Sequence, residues 1–339
     1  MNIGQIAKFL KDENEPAFRL KQIMEAYFGL KSDWSKITNL SKDLRAKLVE
    51  NFPWDELEVS LVQKSADGDT VKFVLETLDG EMIEAVTMHH RDERATVCLS
   101  SQIGCPMGCR FCSTGQSGFK RNLTAEELVN QLILVARWIK DNWHTKVSNV
   151  VYMGMGEPFL NYDNVKKSLQ IFTDKDCFGL GDRRISVSTC GIPEKIIQFG
   201  RDFPQMNLAI SLHSPRQEVR SQIMPFASKF HVKDVMKAAD KYVEMTHRKL
   251  FFEYTLLPGI NDWPVDVQDL VELMRANHLF HVNLITYHQT PLANYKEPSK
   301  KEIDKFANHL RAQHLSVTIR HNFGDDIEGA CGQLARKKL

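Results

Sequence analysis

Residues Cys105-Pro106-Met107-Gly108-Cys109-Arg110-Phe111-Cys112 place three cysteines at CxxxCxxC spacing in one short segment, here called the cysteine loop. Three thiolates this close together can point towards a common centre. Soft sulfur ligands of this kind select zinc, copper(I) or an iron–sulfur cluster. A four-iron cluster and a structural zinc ion both ordinarily take four protein ligands. The loop offers three, which would leave one iron of a 4Fe–4S cluster free to bind another molecule.

A zinc site is the alternative interpretation of the same loop. It needs a fourth ligand, for which Cys98 is the most suitable residue because it lies shortly before Cys105. Zinc sites usually combine two CxxC pairs, or one such pair with two histidines, and this loop has neither arrangement. The spacing favours an iron–sulfur cluster and leaves the zinc interpretation open.

The composition restricts the class of protein. The chain has 339 residues, of which 42% are hydrophobic, enough for one large domain and a smaller one. The formal net charge is +1, so a face that binds nucleic acid would have to be a local basic patch. No apolar run is long enough to span a membrane, and the N-terminal segment lacks the apolar core of a secretion signal. Seven cysteines, three of them clustered, fit metal or thiol chemistry in a reducing cytoplasm, so we expect a cytoplasmic protein.

Residues 1–90 combine two patterns. Residues 1–52 have the apolar spacing of short helices, whereas residues 57–88 alternate like the strands of a meander around a hairpin turn at Asp79-Gly80. Together the patterns predict a small N-terminal α+β accessory domain.

Residues 91–339 repeat a strand-and-helix pattern. Six apolar runs of strand length are separated by amphipathic segments of helix length, and a short run, SVTIR, follows. Near-continuous apolar strands are typical of a parallel sheet buried on both faces. We therefore predict an α/β fold, an incomplete (β/α)6 barrel, with functional groups where the strands end. Capping residues mark the starts of three helices: Ser41, Thr124 with Glu127, and Ser299 with Glu302. The helix that begins after Thr124 is expected to run to Leu134.

The sequence resembles the radical S-adenosylmethionine (SAM) superfamily at two places. One is the cysteine loop, and the other is Gly154-Met155-Gly156-Glu157-Pro158, which follows an apolar strand. In that superfamily the free iron of a 4Fe–4S cluster binds the amino and carboxylate groups of SAM. The resemblance implies that glycines let the backbone approach the methionine part of SAM, and that Glu157 accepts a hydrogen bond from its ammonium group.

A longer set of motifs is similar to the RlmN/Cfr family of RNA-methylating radical SAM enzymes, and most of all to its RlmN-type members. The motifs span nearly the whole chain: NEPAFRLKQI, CLSSQIGCPMGCRFCSTG, VVYMGMGEP, VSTCGI, LAISLHSP and DDIEGACGQL. The last motif places Cys331 in a tail far from the cysteine loop in sequence. Taken alone, Cys331 would be interpreted as a buried, inert thiol.

The resemblance implies that Cys331 carries the methyl group. C2 and C8 of adenine are electron-poor carbons that cannot displace a methyl group from a sulfonium, whereas a thiolate can. Cys331 would take the methyl group from one SAM, and a second SAM, cleaved at the cluster, would yield the radical that joins the methyl carbon to the base. Cys98 would then resolve the protein–RNA adduct by forming a disulfide, and Glu84 would accept a proton. Without the resemblance, Glu84 is an outward-facing strand residue and Cys98 a core residue.

Positions that match the family also imply contacts with SAM. They are Gly156, Glu157, Ser188, Ser211, Leu212, His213 and His288. His288 departs from the family, which has an asparagine after the corresponding strand. An imidazole can still hydrogen-bond a ribose or adenine edge, but with a different reach and protonation. Cys177 and Cys190 receive no role.

The resemblance implies an adenosine of large-subunit (23S) rRNA as substrate, possible use of an adenosine in the tRNA anticodon loop, and a small reducing flavoprotein as electron donor. RlmN-type enzymes methylate C2, and Cfr-type enzymes methylate C8 of the same rRNA adenosine, which confers antibiotic resistance. The Gly-Glu-Pro turn that ends at Pro158 is similar to the C2 group, whereas Phe323-Gly324 is similar to the C8 group. We favour C2.

Several basic residues are candidates for gripping RNA phosphates. They are Arg19, Lys21, His89, His90, Arg91, Arg94, Lys120 and Arg121. A solvated helix face is the alternative for Arg19 and Lys21.

Two other functions stay open: a zinc-stapled RNA-binding protein without catalysis, and a radical SAM enzyme with a different target, such as a glycyl-radical activase. The first would hold no iron, and the second would not need Cys331.

Overall fold

The computed structural model describes residues 1–290, 293, 295–321 and 323–335. Within these ranges the α-helices are α1 (Ile3–Asp12), α2 (Phe18–Phe28), α3 (Lys42–Asn51), α4 (Ser113–Gln116), α5 (Ala125–Asn142), α6 (Tyr162–Thr173), α7 (Pro193–Asp202), α8 (Gln217–Ile223), α9 (Val232–Thr246), α10 (Pro264–Met274) and α11 (Lys300–Ala312). The β-strands are β1 (Leu57–Lys64), β2 (Thr70–Thr77), β3 (Met82–His89), β4 (Ala95–Cys98), β5 (Gln102–Gly104), β6 (Phe119–Asn122), β7 (Val147–Tyr152), β8 (Ile185–Thr189), β9 (Asn207–Ser211), β10 (Leu250–Leu256), β11 (Phe280–Thr286) and β12 (Val317–Ile319). No helix in these ranges has the length and apolar character needed to cross a membrane.

One sheet of ten strands connects both parts of the chain, in the order β1-β2-β3-β4-β7-β8-β9-β10-β11-β12. Strands β1 to β4 pair antiparallel, and each strand from β4 onwards pairs parallel with the next in the sheet. In the described chain β12 does not pair with β4, so the barrel stays open. The prediction of an incomplete α/β barrel behind an N-terminal α+β region is confirmed. The cysteine loop lies outside this sheet, between the strands of the separate β5–β6 hairpin.

The strands of the meander are more enclosed than their alternating pattern predicts. Most residues of β2 and β3 are buried, and none is exposed. On one face Phe73 packs against Trp138 of α5, with ring centroids 5.7 Å apart. The opposite face, which carries Lys72 and Glu84, is covered by the C-terminal segment 323–335. A third layer therefore buries polar side chains that alternation would place in solvent.

Local capping signals begin the helices as predicted. The Ser41 hydroxyl accepts a hydrogen bond from the Leu44 N–H, and α5 and α11 each begin with a reciprocal capping box. The predicted end of α5 at Leu134 is wrong. The helix continues to Asn142 because Val135 and Ile139 extend its buried face.

Candidate active site

The three cysteines of the loop border one cavity of about 160 Å³ at the carboxyl ends of the parallel strands. Burial raises the pKa of Cys105, Cys109 and Cys112, and the two neighbouring thiols raise that of Cys109 further. In the metal-free protein these thiols are therefore protonated. A metal centre reverses this, because a coordinating thiol is deprotonated outright.

Within the described residues, Cys98 is not placed with the loop cysteines, as the zinc interpretation requires. Cys98 lies at the end of β4 and borders a different cavity, together with Cys331 and Arg320. Among the described residues, no group of three His, Cys, Asp or Glu side chains, the loop cysteines included, is arranged to hold a metal ion. Three soft sulfur donors at one cavity suit a 4Fe–4S cluster, in which one iron would have no cysteine ligand.

Gly154 and Gly156 follow β7 and line the same cavity. A Cβ atom at Gly154 would lie 2.7 Å from the Leu99 carbonyl oxygen, and one at Gly156 would lie 2.6 Å from Gln102 Cβ. Gly156 also has a φ of +97°. Glycine is thus required because this turn packs against the segment that leads into the cysteine loop. That reason differs from the predicted approach of the backbone to SAM.

Glu157 presents a buried carboxylate to the cavity. Its Oε1 accepts a hydrogen bond from the Phe159 N–H (2.9 Å), and its Oε2 accepts one from the Cys190 N–H (2.7 Å). Burial raises the pKa of Glu157, while these backbone donors oppose the rise. No lysine or arginine of the described chain forms an ion pair with Glu157.

His213 is a neutral imidazole at the cavity wall. Its Nδ1 accepts a hydrogen bond from the Thr255 N–H (2.9 Å), and its ring meets that of Phe111 edge-on, with centroids 4.7 Å apart. Burial lowers the pKa of His213 to about 3, and the charge of Arg220 contributes. With Nδ1 used as an acceptor, Nε2 carries the proton and is the donor that a ligand can use.

His213 gives the stability of the protein a pH dependence. In the unfolded chain an imidazole binds a proton near pH 6.5, whereas the buried ring stays neutral down to about pH 3. Between these values the unfolded state binds more protons, so the free energy of unfolding falls as the pH falls. We expect His213→Asn to flatten this slope between pH 6.5 and 4, measured as urea midpoints. Variant and wild-type slopes that coincide would contradict the assignment, and the exposed His314 offers a control, His314→Asn.

The other residues predicted to contact SAM do not all lie at the cavity of the cysteine loop. Ser188 and Ser211, at the ends of β8 and β9, line the cavity of the cysteine loop. Leu212 does not line it, because its side chain is buried in the core and its N–H donates to the Glu253 carbonyl oxygen (3.1 Å). His288 lies in the second cavity, where its Nε2 is buried and has no hydrogen-bond partner in the described chain.

The second cavity, of about 60 Å³, contains Cys98 and shares Cys331 and Arg320 with the first. Burial raises the pKa of Cys98 to about 12, and nearby Cys331 adds to the rise. Arg320, which follows β12 and lies 3.4 Å from a carboxylate oxygen of Glu253, opposes it. Sequence reasoning missed Arg320, although the end of a parallel strand is where functional residues are expected.

The C-terminal segment places Cys331 between the cysteine loop and Glu84. The Gly332 carbonyl accepts a hydrogen bond from the Ser113 N–H (2.8 Å), and the Leu334 carbonyl accepts one from the Thr114 hydroxyl (2.6 Å). The Ala335 N–H donates to Glu84 Oε2 (2.8 Å). These main-chain contacts hold the segment without using the sulfur of Cys331.

Glu84 is buried and paired with a lysine that sequence reasoning missed. Lys72 Nζ lies 3.4 Å from Glu84 Oε1, and both side chains are buried. Lys72 Nζ also donates to the Glu328 carbonyl oxygen (3.5 Å). The lysine thus connects the meander, the predicted proton acceptor and the segment that carries Cys331. The interpretation of Glu84 as an outward-facing strand residue is wrong.

Most of the basic residues predicted to bind RNA phosphates form ion pairs or hydrogen bonds within the chain. Arg121 donates to Asp79 and Glu127, and Lys120 pairs with Glu81. The pairs with Asp79 and Glu81 connect β6 to the β2–β3 turn. This structural role accounts for Lys120 and Arg121 without a contact to RNA. The other pairs and contacts are Arg19 with Glu15, Lys21 with Glu25, His89 with Glu93 and the ring of Trp143, His90 with Thr96, and Arg94 with Asp92. Arg91 is exposed. Phosphate binding by these residues stays a prediction.

The open parallel barrel, the three-cysteine loop and the Gly-Glu-Pro turn at one cavity define a radical SAM protein. The family model of the radical SAM superfamily matches residues 99–274. A second model, the ribosomal RNA large subunit methyltransferase N-terminal domain, matches residues 1–53.

Similar proteins identify the family within the radical SAM superfamily. The chain is 40% identical to a probable dual-specificity RNA methyltransferase RlmN 2 of Protochlamydia amoebophila, over 98% of this chain and 92% of that protein. It is 40% identical to a probable dual-specificity RNA methyltransferase RlmN of Carboxydothermus hydrogenoformans, over 99% and 97%. The crystal structure of a radical SAM methyltransferase from Sphaerobacter thermophilus superposes with a TM-score of 0.95 at 38% identity, over 99% of this chain and 98% of that one. The chain belongs to the RlmN-type family of radical SAM methyltransferases.

Proposed function

We propose that this protein methylates C2 of an adenosine in 23S rRNA, and of an adenosine in the tRNA anticodon loop, through a methyl group carried by Cys331. The observation that carries the proposal is that Cys331 borders both the cavity of the cysteine loop and the cavity of Cys98. One sulfur can therefore face the cofactor on one side and a flipped base on the other. The names of the RlmN relatives and the N-terminal model support RNA as the substrate.

The first cavity would hold the cofactors. Cys105, Cys109 and Cys112 would bind the 4Fe–4S cluster, and Glu157 would accept a hydrogen bond from the ammonium group of SAM. Two SAM molecules per turnover would supply the methyl group and, with an electron from the cluster, the means to remove a hydrogen atom from it. A small reducing flavoprotein would be the electron donor. The neutral His213 would donate a hydrogen bond from Nε2 to the bound SAM.

The second cavity would complete the reaction. The base radical formed when the methylene group adds would lose one electron, which would return to the cluster. Cys98, as a thiolate, would then attack the sulfur of Cys331, so that a disulfide forms as the bond between that sulfur and the methylene carbon breaks. The methylene carbon would keep the electron pair and take up a proton to become the methyl group. Glu84 would accept the proton that leaves the base. Arg320 borders both cavities, and its positive charge favours the thiolate form of Cys98.

Methylation at C8 is a second candidate because of Phe323. Its ring borders the second cavity and meets the rings of His90 and His321 edge-on, at centroid distances of 5.2 and 5.0 Å. A base beside Cys331 would lie near this aromatic group. The Gly-Glu-Pro turn, which is similar to the C2 group, keeps C2 as the first candidate.

The test uses anaerobically purified protein, 23S rRNA or tRNA, and SAM with a trideuterated methyl group. We expect 2-methyladenosine with two deuterons in its methyl group, because one is removed while the methyl group is on Cys331. Mass spectrometry of nucleosides, with C2 and C8 standards, measures both the position and the label. Three deuterons, or a methyl group on nitrogen or ribose, would contradict the proposal.

Lys72 provides a test of Glu84 as proton acceptor. The ammonium group of Lys72, 3.4 Å from Glu84 Oε1, favours the ionised form of this buried carboxylate, which is the form that can accept a proton. We expect Lys72→Met to lower the rate of RNA methylation by about 10²-fold, a typical effect of losing general base catalysis, while Cys331 is still methylated. Peptide mass spectrometry and nucleoside analysis measure the two steps separately.

The matched control for Lys72→Met is Lys64→Met. Lys64 lies on β1, and its ammonium group stacks over the ring of Trp138, away from Glu84. Circular dichroism verifies that both variants are folded. An equal loss of Cys331 methylation and RNA methylation in Lys72→Met would show that Lys72 does not act through Glu84.

A further inference from the structure

Arg220 is a fully buried cation that has no carboxylate partner among the described residues. It lies in α8 with 0% of its surface exposed, and no ion pair of the described chain includes it. Its Nη2 donates to the carbonyl oxygens of Cys190 (2.5 Å) and Ser211 (3.5 Å), and its Nη1 donates to that of Phe230 (3.5 Å). Its Nε is buried and has no hydrogen-bond partner in the part of the chain that the structure describes.

Neutral carbonyl groups leave this charge uncompensated. A buried charge is costly unless an opposite charge pairs with it. Glu157 approaches Cys190 from its N–H side, whereas Arg220 approaches the carbonyl side of the same residue. The two side chains form no ion pair. The described protein therefore offers Arg220 no anion, although its burial calls for one.

The cysteine loop lies next to this charge. The Arg110 N–H donates to the Ile223 carbonyl (2.9 Å) and the Phe226 N–H donates to the Met107 carbonyl (3.4 Å), so that the end of α8 is fastened to the loop. Arg220 therefore belongs to a helix whose end contacts the cysteine loop, although its side chain does not line the cavity.

We propose that Arg220 is the counter-charge of the iron–sulfur cluster and favours its reduced form. This inference rests on the proposed cluster site at Cys105, Cys109 and Cys112. Three thiolates give the centre a negative charge, which grows by one when the cluster accepts an electron. A fixed cation in a low-dielectric interior stabilises the reduced form more than the oxidised form and raises the reduction potential.

The test compares Arg220→Gln and Arg220→Met with Arg220→Lys, which keeps the charge, and with Arg201→Gln, which removes an exposed arginine from α7. The proteins are reconstituted anaerobically with iron and sulfide, and the reduced cluster is titrated by electron paramagnetic resonance. At a fixed potential we expect the ratio of reduced to oxidised cluster to fall at least tenfold in both neutral variants, a shift of about 59 mV for one electron. Arg220→Lys should recover most of the ratio, and Arg201→Gln should equal the wild type.

The remaining outcomes are also decisive. Neutral variants that fold but retain little iron, while Arg220→Lys retains it, would support the proposal. Fully loaded neutral variants with the wild-type potential would overturn it. Neutral variants that fail to fold in the absence of iron would also overturn the proposal, because Arg220 would then be needed for the fold of the iron-free protein. Wild-type protein that binds no iron would instead refute the proposed function.

Discussion

Cys331→Ala is expected to abolish RNA methylation while the protein keeps its fold and its cluster. The side chain of Cys331 is exposed, and the segment around it is held by main-chain contacts of Gly332 and Leu334. Alanine therefore removes the sulfur without removing the contacts that place it. No other thiol borders both cavities in the described chain, so no neighbouring group can take its place.

Mass spectrometry measures this prediction directly. The wild-type protein, incubated with SAM, should gain the mass of a CH₂ group on the peptide that contains Cys331, and the variant should gain none. Cys177→Ala is the matched control, because Cys177 is a half-buried thiol that lines neither cavity. A Cys331→Ala protein that still methylates adenosine would require a different methyl carrier. Brown protein with about four irons per chain distinguishes both results from a zinc protein.

The parts of the site that could be predicted from the sequence are local or follow from the fold. The spacing of Cys105, Cys109 and Cys112 is a local property, and so is the capping box at Thr124. Glu157 follows β7 and Ser188 lies near the end of β8, and the carboxyl ends of parallel strands meet at one edge of the sheet. Predicting the barrel was therefore enough to bring these residues together.

The parts that could not be predicted depend on contacts between distant segments. Alternation along β2 and β3 assigns Lys72 and Glu84 to a solvent face, and only the C-terminal segment makes that face internal. The contact between Ala335 and Glu84 joins residues 251 positions apart. Similarly, the sequence shows the charge of Arg121 but not that Asp79 and Glu127 neutralise it. Burial and pairing belong to the tertiary structure, and periodicity does not contain them.

Cys98→Ala is expected to accumulate a covalent adduct between protein and RNA. The variant keeps Cys331, so the methylene bond to the base can still form, but no other cysteine of the described chain then borders the second cavity. Release would stop because no sulfur can displace the methylene group from Cys331. Denaturing electrophoresis, with and without ribonuclease, should show a shifted band that Cys98→Ala/Cys331→Ala does not produce.

The pH dependence of release in the wild type tests the same role of Cys98. Burial raises the pKa of this thiol to about 12, so the reactive thiolate is a minor species at neutral pH. Below that pKa the thiolate fraction rises about tenfold per pH unit, and release of the adduct should accelerate with it. Rapid-quench measurement of adduct decay between pH 7 and 9 follows this step. Decay that is independent of pH, together with normal turnover of Cys98→Ala, would assign the resolving thiol to another molecule, because no other cysteine of the described chain shares the second cavity with Cys331.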